Sequence, residues 1–229
     1  LAINQTRCAL GGPPYTVPLN LTQTSIVCPV PPKPSATTLP LRVSLNGQQF
    51  FDTGLDFSYY DHPAISAVYP AGGLTTGATP LTVTGSGFLN FMPEQREARC
   101  TFGRGPDGAR HTTGAKVLAD DTIVCPSFLK GANEVSIFSV ALNGVDFIAD
   151  ADSTQRYKFY TQPSFIVGLE PTGGPRQGTT PMTLSGSGFH NFDAAATSAR
   201  CIWGEAHVPT DERFTSVPSL LTDETVVCR

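Results

Sequence analysis

The sequence predicts an all-β protein built of tandem β-sandwich repeats, of which the first and the last are incomplete. Two observations predict this class. A stretch of about thirty residues recurs at a fixed spacing, and short apolar–polar alternations are separated by clusters of glycine, proline, asparagine and aspartate. No segment shows the sustained period of a helix. The 22 glycines and 20 prolines are spread along the chain, which is typical of a globular protein with many turns.

The main repeat pairs PAGGLTTGATPLTVTGSGFLNF, which begins at Pro70, with PTGGPRQGTTPMTLSGSGFHNF, which begins at Pro171. The offset of 101 residues holds as far as Cys100 and Cys201. A second element pairs VSLNGQQFF with VALNGVDFI, and a third is a short apolar run that ends in a cysteine. This third element occurs in three copies, which end at Cys28, Cys125 and Cys228.

These elements divide the chain into three segments. Residues 61–161 form one complete repeat, residues 1–60 the C-terminal part of a first repeat, and residues 162–229 the N-terminal part of a third. We expect the natural polypeptide to continue beyond both ends, because a sandwich cut there would expose its core and its sheet edges. The connections between repeats are short and contain Pro63 and Pro163, so we expect little rotation between neighbours.

Within the complete repeat we predict six strand segments. They are AISAVYP, PLTVTGSGF, REARCTF, TIVCPSF, EVSIFSVALNG and the run from Phe147 to Tyr160. In LTVT the apolar side chains alternate with polar ones, which predicts one face for the core and one for water. Asn143-Gly144 between two apolar runs predicts a two-residue hairpin of type I′.

The signature P-x-x-G-x-x-x-G-x-T-P-x-T-x-x-G-S-G-F spans Pro70 to Phe88 and recurs from Pro171 to Phe189. Together with the cysteine-ending runs it resembles the immunoglobulin-like domain shared by plexins and transcription factors, the IPT or TIG domain. The resemblance covers nearly the whole chain. It implies tandem seven-stranded immunoglobulin-like sandwiches, found in receptor ectodomains, in Rel-type transcription factors and beside carbohydrate-active enzymes. The fold alone does not specify a function.

The six cysteines form three pairs at equivalent places in the repeats: Cys8 with Cys28, Cys100 with Cys125, and Cys201 with Cys228. Only pairing within each repeat gives every repeat the same connectivity. Each disulfide would stabilise the fold by about 3 kcal/mol in the chain-entropy model. The alternatives are buried free thiols of a cytosolic protein, or zinc ligands. Zinc is disfavoured because the sequence has no C-x-x-C or Cys/His cluster.

Two N-glycosylation sequons lie in the first segment, Asn4-Gln5-Thr6 and Asn20-Leu21-Thr22. With paired cysteines they predict N-linked glycans, the secretory route and an extracellular or cell-surface location. No run of about 18 apolar residues occurs, and the first residues lack the features of a signal peptide. We therefore expect any signal or membrane anchor to lie outside this chain.

No residue pattern points to catalysis, a cofactor or a metal. The serines of TGSGFL and SGSGFH, Ser86 and Ser187, lack the spacing and the following helix of a nucleophile elbow. Trp203 is expected to pack against the nearby disulfide, as Phe102 would at the matching position, rather than to stack on a sugar. The four histidines stand at no metal-ligand or triad spacing and are interpreted as structural: His62, His111, His190 and His207.

Three acids near the end of the complete repeat, Asp146, Asp150 and Asp152, could hold a calcium ion between repeats. The alternative is a solvated loop. We favour the loop because the first segment offers only Asp52 and Asp56 at the matching place.

These observations predict a non-catalytic extracellular structural or adhesive rod or filament protein that binds other proteins or copies of itself. The Ala/Gly/Thr/Pro-rich texture is similar to that of algal and protist surface glycoproteins, such as ciliary filament or gamete-adhesion proteins. One alternative is a plexin-like signalling receptor, which would carry a semaphorin-like propeller and a transmembrane helix elsewhere. Another is an accessory module of a secreted carbohydrate-active enzyme. The net charge of -4 and the paired cysteines oppose nucleic-acid binding.

Overall fold

The computed structural model of the chain is built of β-strands joined by turns. Its described part contains twenty-one strands and no helix, which confirms the all-β prediction. The described residues are 5–91, 97–104, 108–131, 133–148, 155–192, 198–204 and 214–229.

The strands are short, as the frequent glycines and prolines predict. In chain order they are β1 (Arg7–Leu10), β2 (Gly12–Thr16), β3 (Asn20–Leu21), β4 (Ile26–Val27), β5 (Thr37–Ser44), β6 (Phe51–Tyr59), β7 (Ala64–Tyr69), β8 (Gly72–Leu74), β9 (Pro80–Ser86), β10 (Arg99–Arg104), β11 (Arg110–Gly114), β12 (Lys116–Ala119), β13 (Thr122–Pro126), β14 (Glu134–Ala141), β15 (Arg156–Tyr160), β16 (Ser164–Glu170), β17 (Met182–Ser187), β18 (Cys201–Trp203), β19 (Phe214–Ser216), β20 (Leu220–Leu221) and β21 (Thr225–Cys228).

The chain divides into two compact units. The first comprises residues 1–64 and 87–93, and the second comprises residues 65–86 and 94–229. The three-repeat division, with boundaries after residues 60 and 161, therefore stays a prediction. In the first unit, an antiparallel sheet has the strand order β2-β1-β5-β6, and β3 pairs with β4 in a separate hairpin.

The second unit begins with two sheets that share one core. One has the order β11-β10-β14-β15-β8, in which β15 and β8 are parallel, and the other has the antiparallel order β12-β13-β9-β7. Leu81 and Val83 of β9 are buried while Thr82 and Thr84 are exposed, which agrees with the predicted alternation. Ile123 of β13 is also fully buried.

The remainder of the second unit has a four-stranded antiparallel sheet, β16-β17-β21-β20, and a pair, β18-β19. Its buried cluster is small and consists of Cys201, Val226 and Cys228. Met182, Leu184 and Trp203 are partly buried against that cluster. Packing of Trp203 against the disulfide, as the sequence predicts, is thereby confirmed.

The 101-residue repeat extends to backbone conformation. Gly77 and Ala78 have φ of 79° and 61°, and their counterparts Gly178 and Thr179 have φ of 81° and 70°. Glycine adopts these left-handed values readily, whereas alanine and especially the β-branched threonine adopt them at a cost. The same unusual turn therefore precedes β9 and β17.

Two local predictions are wrong. The strand expected from Phe147 begins only at Arg156. Asn143-Gly144 forms a turn, but not a two-residue hairpin, because β14 ends at Ala141 and its partner β15 starts fourteen residues after Leu142. The Oδ1 atom of Asn143 instead accepts hydrogen bonds from the backbone amides of Val145 and Asp146, so the side chain closes the turn.

Candidate interaction surface

Three disulfides each join the two cysteines of one predicted repeat. In the complete repeat, Cys100 lies on β10 of one sheet and Cys125 on β13 of the other, so the bond crosses the core between the sheets. Both side chains are buried. The Cα atoms of the three pairs lie 6.2, 6.5 and 6.1 Å apart in Cys8–Cys28, Cys100–Cys125 and Cys201–Cys228, respectively.

Aromatic side chains fill the core beside the second disulfide. The fully buried ring of Phe102 lies at their centre, with centroid distances of 5.0 to 5.5 Å to its neighbours. Edge-to-face and tilted pairs at these distances add to the stabilisation from burial. The neighbours are Phe128, Phe138, Tyr157 and Phe159.

A lysine covers one side of this aromatic core. The Nζ atom of Lys130 lies 5.7 Å from the centroid of Phe128 and 5.4 Å from that of Phe159. It also donates a 2.7 Å hydrogen bond to Ser136 Oγ and forms an ion pair with Glu134. Burial tends to raise the pKa of the Glu134 carboxyl, but its bonds to Lys130 and Ser136 outweigh burial and hold that pKa below its usual value.

The hydroxyl of Tyr157 is enclosed where β15 approaches β8. A Cβ atom on Gly73 would lie 2.2 Å from this hydroxyl oxygen and 2.4 Å from Thr79 Oγ1, so only glycine fits here. Burial raises the pKa of Tyr157, and the hydroxyls of Ser127 and Thr79 act in the opposite direction. The net effect keeps the phenol neutral to higher pH than in the unfolded chain.

Of the two predicted glycosylation sites, Asn20 lies at the start of β3 with an exposed side chain. The hairpin there is closed by Thr22, whose Oγ1 accepts a 2.9 Å hydrogen bond from Ser25 N. The same arrangement recurs beside β20, where Thr222 Oγ1 accepts a 2.9 Å bond from Thr225 N. Asn4 lies outside the described residues.

A cavity of about 980 Å³ opens along the third-repeat segment of the second unit. It is mainly apolar. Its lining includes Tyr69, Tyr160, Leu184, Phe189 and Trp203. The corresponding core side chains of the complete repeat, Val83 on β9 and Phe102 on β10, are instead fully buried, and β14 and β15 extend the sheet of β10.

The described histidines lie apart from one another. The His111 ring stacks on Phe128 at 5.2 Å, and His190 Nε2 lies 3.3 Å from the carbonyl oxygen of Leu221. His62 lies in the first unit, 6.4 Å from the ring of Tyr60. His207 falls outside the described residues.

The candidate calcium ligands are represented by Asp146 alone, since Asp150 and Asp152 fall outside the described residues. The Oδ2 atom of Asp146 accepts a 2.8 Å hydrogen bond from Asn143 Nδ2. In the part of the chain that the structure describes, no three metal-ligating side chains come together. Ser86 and Ser187 lie in β9 and β17, and Ser187 Oγ is 2.7 Å from Ser164 Oγ.

Sequence reasoning missed the position of Lys130 over the aromatic core and the contacts of the residues that follow each G-S-G-F. The repeat already pairs Asn90 with Asn191, but a repeated residue is not by itself evidence of a contact. Nothing in the sequence pattern indicated that Lys130 would lie over the aromatic core.

The comparisons with known proteins point to plexins. Over 158 residues, or 65% of this chain, the sequence is 29% identical to human plexin-A2, and it is equally similar to mouse plexin-A2. The chain spans 8% of each of these relatives. This similarity supports a plexin-like, IPT-like domain. It does not support the expected algal or protist filament origin.

Among solved structures, the extracellular region of plexin A4 aligns with 97% of this chain and 18% of its own, at 15% identity and a TM-score of 0.48. No family model matches the chain. Among the described residues, no helix is long and apolar enough to cross a membrane.

Proposed function

We propose that this chain is part of the extracellular region of a plexin-like cell-surface receptor, in which it acts without catalysis as a disulfide-linked spacer and protein-binding segment. The observation that carries the proposal is the 29% identity to plexin-A2 over 158 residues of a chain with one disulfide in each predicted repeat. Disulfides of this kind persist in the oxidising compartments through which surface proteins pass.

This proposal replaces the rod or filament protein as the main interpretation. The proposed role still includes holding neighbouring repeats at a fixed spacing, because the connections between repeats are short. The partners in this proposal are other proteins, or further copies of the same chain, and N-linked glycans at Asn4 and Asn20 modify the first segment. An accessory module of a carbohydrate-active enzyme gains no support from the plexin relatives.

The proposal is tested on the natural protein in its own cells. An antibody raised against this chain should label intact cells without permeabilisation, and surface biotinylation should recover a protein far longer than 229 residues. Partners are then captured by cross-linking on intact cells with the secreted chain as probe. A matched probe with Cys125→Ser, which breaks the second disulfide, should lose that capture. Labelling only after permeabilisation, with alkylatable cysteines, would contradict the proposal.

A further inference from the structure

Each G-S-G-F motif is followed by one variable residue and then by Asn-Phe. The two copies, Asn90-Phe91 and Asn191-Phe192, are 101 residues apart. Neither dipeptide lies in a strand, and the proposed function gives neither a role. The two dipeptides nevertheless make the same kinds of contact, the first within the first unit and the second within the second unit.

The asparagines bind the connection that leads into their own repeat. Asn90 Nδ2 donates a 3.1 Å hydrogen bond to the backbone oxygen of Asp61. Asn191 Nδ2 lies 3.1 Å from the backbone oxygen of Thr161 and 2.9 Å from its Oγ1. Asp61 directly follows Tyr60, the residue after the end of β6. Thr161 directly follows Tyr160, the last residue of β15.

The phenylalanines contact those same tyrosines. Phe91 stacks on Tyr60 with centroids 4.7 Å apart and planes inclined by 29°. Phe192 packs on Tyr160 at 5.1 Å and 42°. Aromatic pairs at these distances contribute beyond the area that they bury, by about 0.5 to 1.5 kcal/mol.

The glycines of G-S-G-F make room for the asparagines. Gly87 has φ of 76° and Gly188 of 81°, and a Cβ atom on either would lie 2.6 Å from the Nδ2 atom of the asparagine three residues later. A side chain at either position would be strained at this φ and would have to displace the asparagine. The motif and the dipeptide therefore work as one device, with the glycine allowing the asparagine to fold back.

In the second unit, two further residues hold Phe192. Lys158 Nζ donates a 2.6 Å hydrogen bond to the Phe192 backbone oxygen. The ring lies against Gly72, where a Cβ atom would come within 2.4 Å of Phe192 Cε2. Both Lys158 and Gly72 belong to the complete repeat, so residues from the two sides of the connection meet here.

We propose that Asn191-Phe192 is a clamp that fixes the third repeat in one orientation on the complete repeat, and that Asn90-Phe91 holds the preceding connection by the same contacts. Neighbouring domains in a chain usually move relative to each other unless a specific interface prevents it. The clamp provides such an interface with a hydrogen bond, an aromatic contact and a lysine. This inference rests on contacts within the chain and does not depend on the proposed receptor.

The test measures the distance between spin labels on the two repeats by electron–electron double resonance. Labels are attached through a noncanonical amino acid at the exposed positions Leu118 and Ile202, which leaves all six cysteines unchanged. The unsubstituted chain should give one narrow distance distribution. Phe192→Ala and Asn191→Ala should broaden it about twofold or more, since each removes one of the clamp contacts.

Phe51→Ala is the matched control, because it removes an exposed phenylalanine outside the clamp and should leave the width unchanged. Lys158→Met, which removes no core side chain, should broaden the distribution as well. If Phe192→Ala fails to fold, as judged by circular dichroism, Asn191→Ala and Lys158→Met decide the question. Native widths in both of these folded variants would overturn the proposal.

Discussion

The ring of Phe102 on β10 lies 5.0 Å from the ring of Tyr157 on β15 and is inclined to it by 65°, so that an edge meets a face on the core side of one sheet. Both side chains are fully buried. Phe102 is two residues after Cys100 on β10. Its ring therefore links the strand that carries the disulfide to β15. This contact is therefore central to the stability of the complete repeat.

Phe102→Ala should lower the free energy of unfolding by about 3 to 5 kcal/mol, because it leaves a cavity among four aromatic rings. The measurement is denaturant unfolding followed by circular dichroism. Phe51→Ala, at a site that is 64% exposed, should cost far less and serves as the control. Equal losses in the two variants would contradict the position of Phe102 in the core.

The stability of the complete repeat should fall at high pH through Tyr157. Burial raises the pKa of Tyr157 above the usual tyrosine value of about 10, so its stabilising contribution is fully present below about pH 10 and is lost as the pH rises through the folded-state pKa. Tyr157→Phe should make the fall above about pH 10 shallower, because phenylalanine has no proton to lose. The measurement is the free energy of unfolding as a function of pH for both chains. If its slope against pH is the same in the variant as in the unsubstituted chain, the enclosure of the Tyr157 hydroxyl is contradicted.

Thr179→Gly should stabilise the third repeat by about 1 kcal/mol, because threonine at a φ of 70° is strained and glycine is not. The side chain is exposed, so little packing is lost. Thr172→Gly is the matched control in the same exposed stretch and outside the residues with positive φ. It should destabilise or leave stability unchanged. Stabilisation by both substitutions would contradict a specific effect of the turn.

Asn20 should carry an N-linked glycan when the chain passes through the secretory route. Thr22→Ala destroys the sequon and should remove one glycan, seen as a drop in intact mass beyond the mass change of the substitution itself. Thr22→Ser keeps both the sequon and a hydroxyl that can close the turn with Ser25, and should retain the glycan. The same attached glycan mass in all three chains would show that Asn20 is unmodified.

The sequence predicted the all-β class because side-chain alternation, as in Leu81 and Val83, reports burial directly. The repeat also predicted the pairing of Cys100 with Cys125 on two separate strands, but not that the bond crosses the core between the sheets. The start of β15 was missed because the apolar residues near Phe147 suggested a strand where Asn143 instead closes a turn by its own side chain.

The Asn-Phe clamp could not be predicted from the repeat alone. The repeat shows that an asparagine recurs at the position of Asn191. It does not show that this side chain forms a hydrogen bond with Thr161, thirty residues earlier. Such long-range contacts depend on the path of the turns, and here on the positive φ of Gly188. Lys130 was missed for the same reason, because cation–aromatic contacts leave no periodic signal.

Peptide mapping of the secreted, unreduced chain by mass spectrometry decides whether disulfide-bonded sandwiches follow each other along this polypeptide. The expected result is three linked peptide pairs, Cys8 with Cys28, Cys100 with Cys125, and Cys201 with Cys228, and no alkylatable thiol. Linkage between cysteines of different repeats, or free thiols at Cys100 and Cys125, would contradict both the fold and its extracellular role.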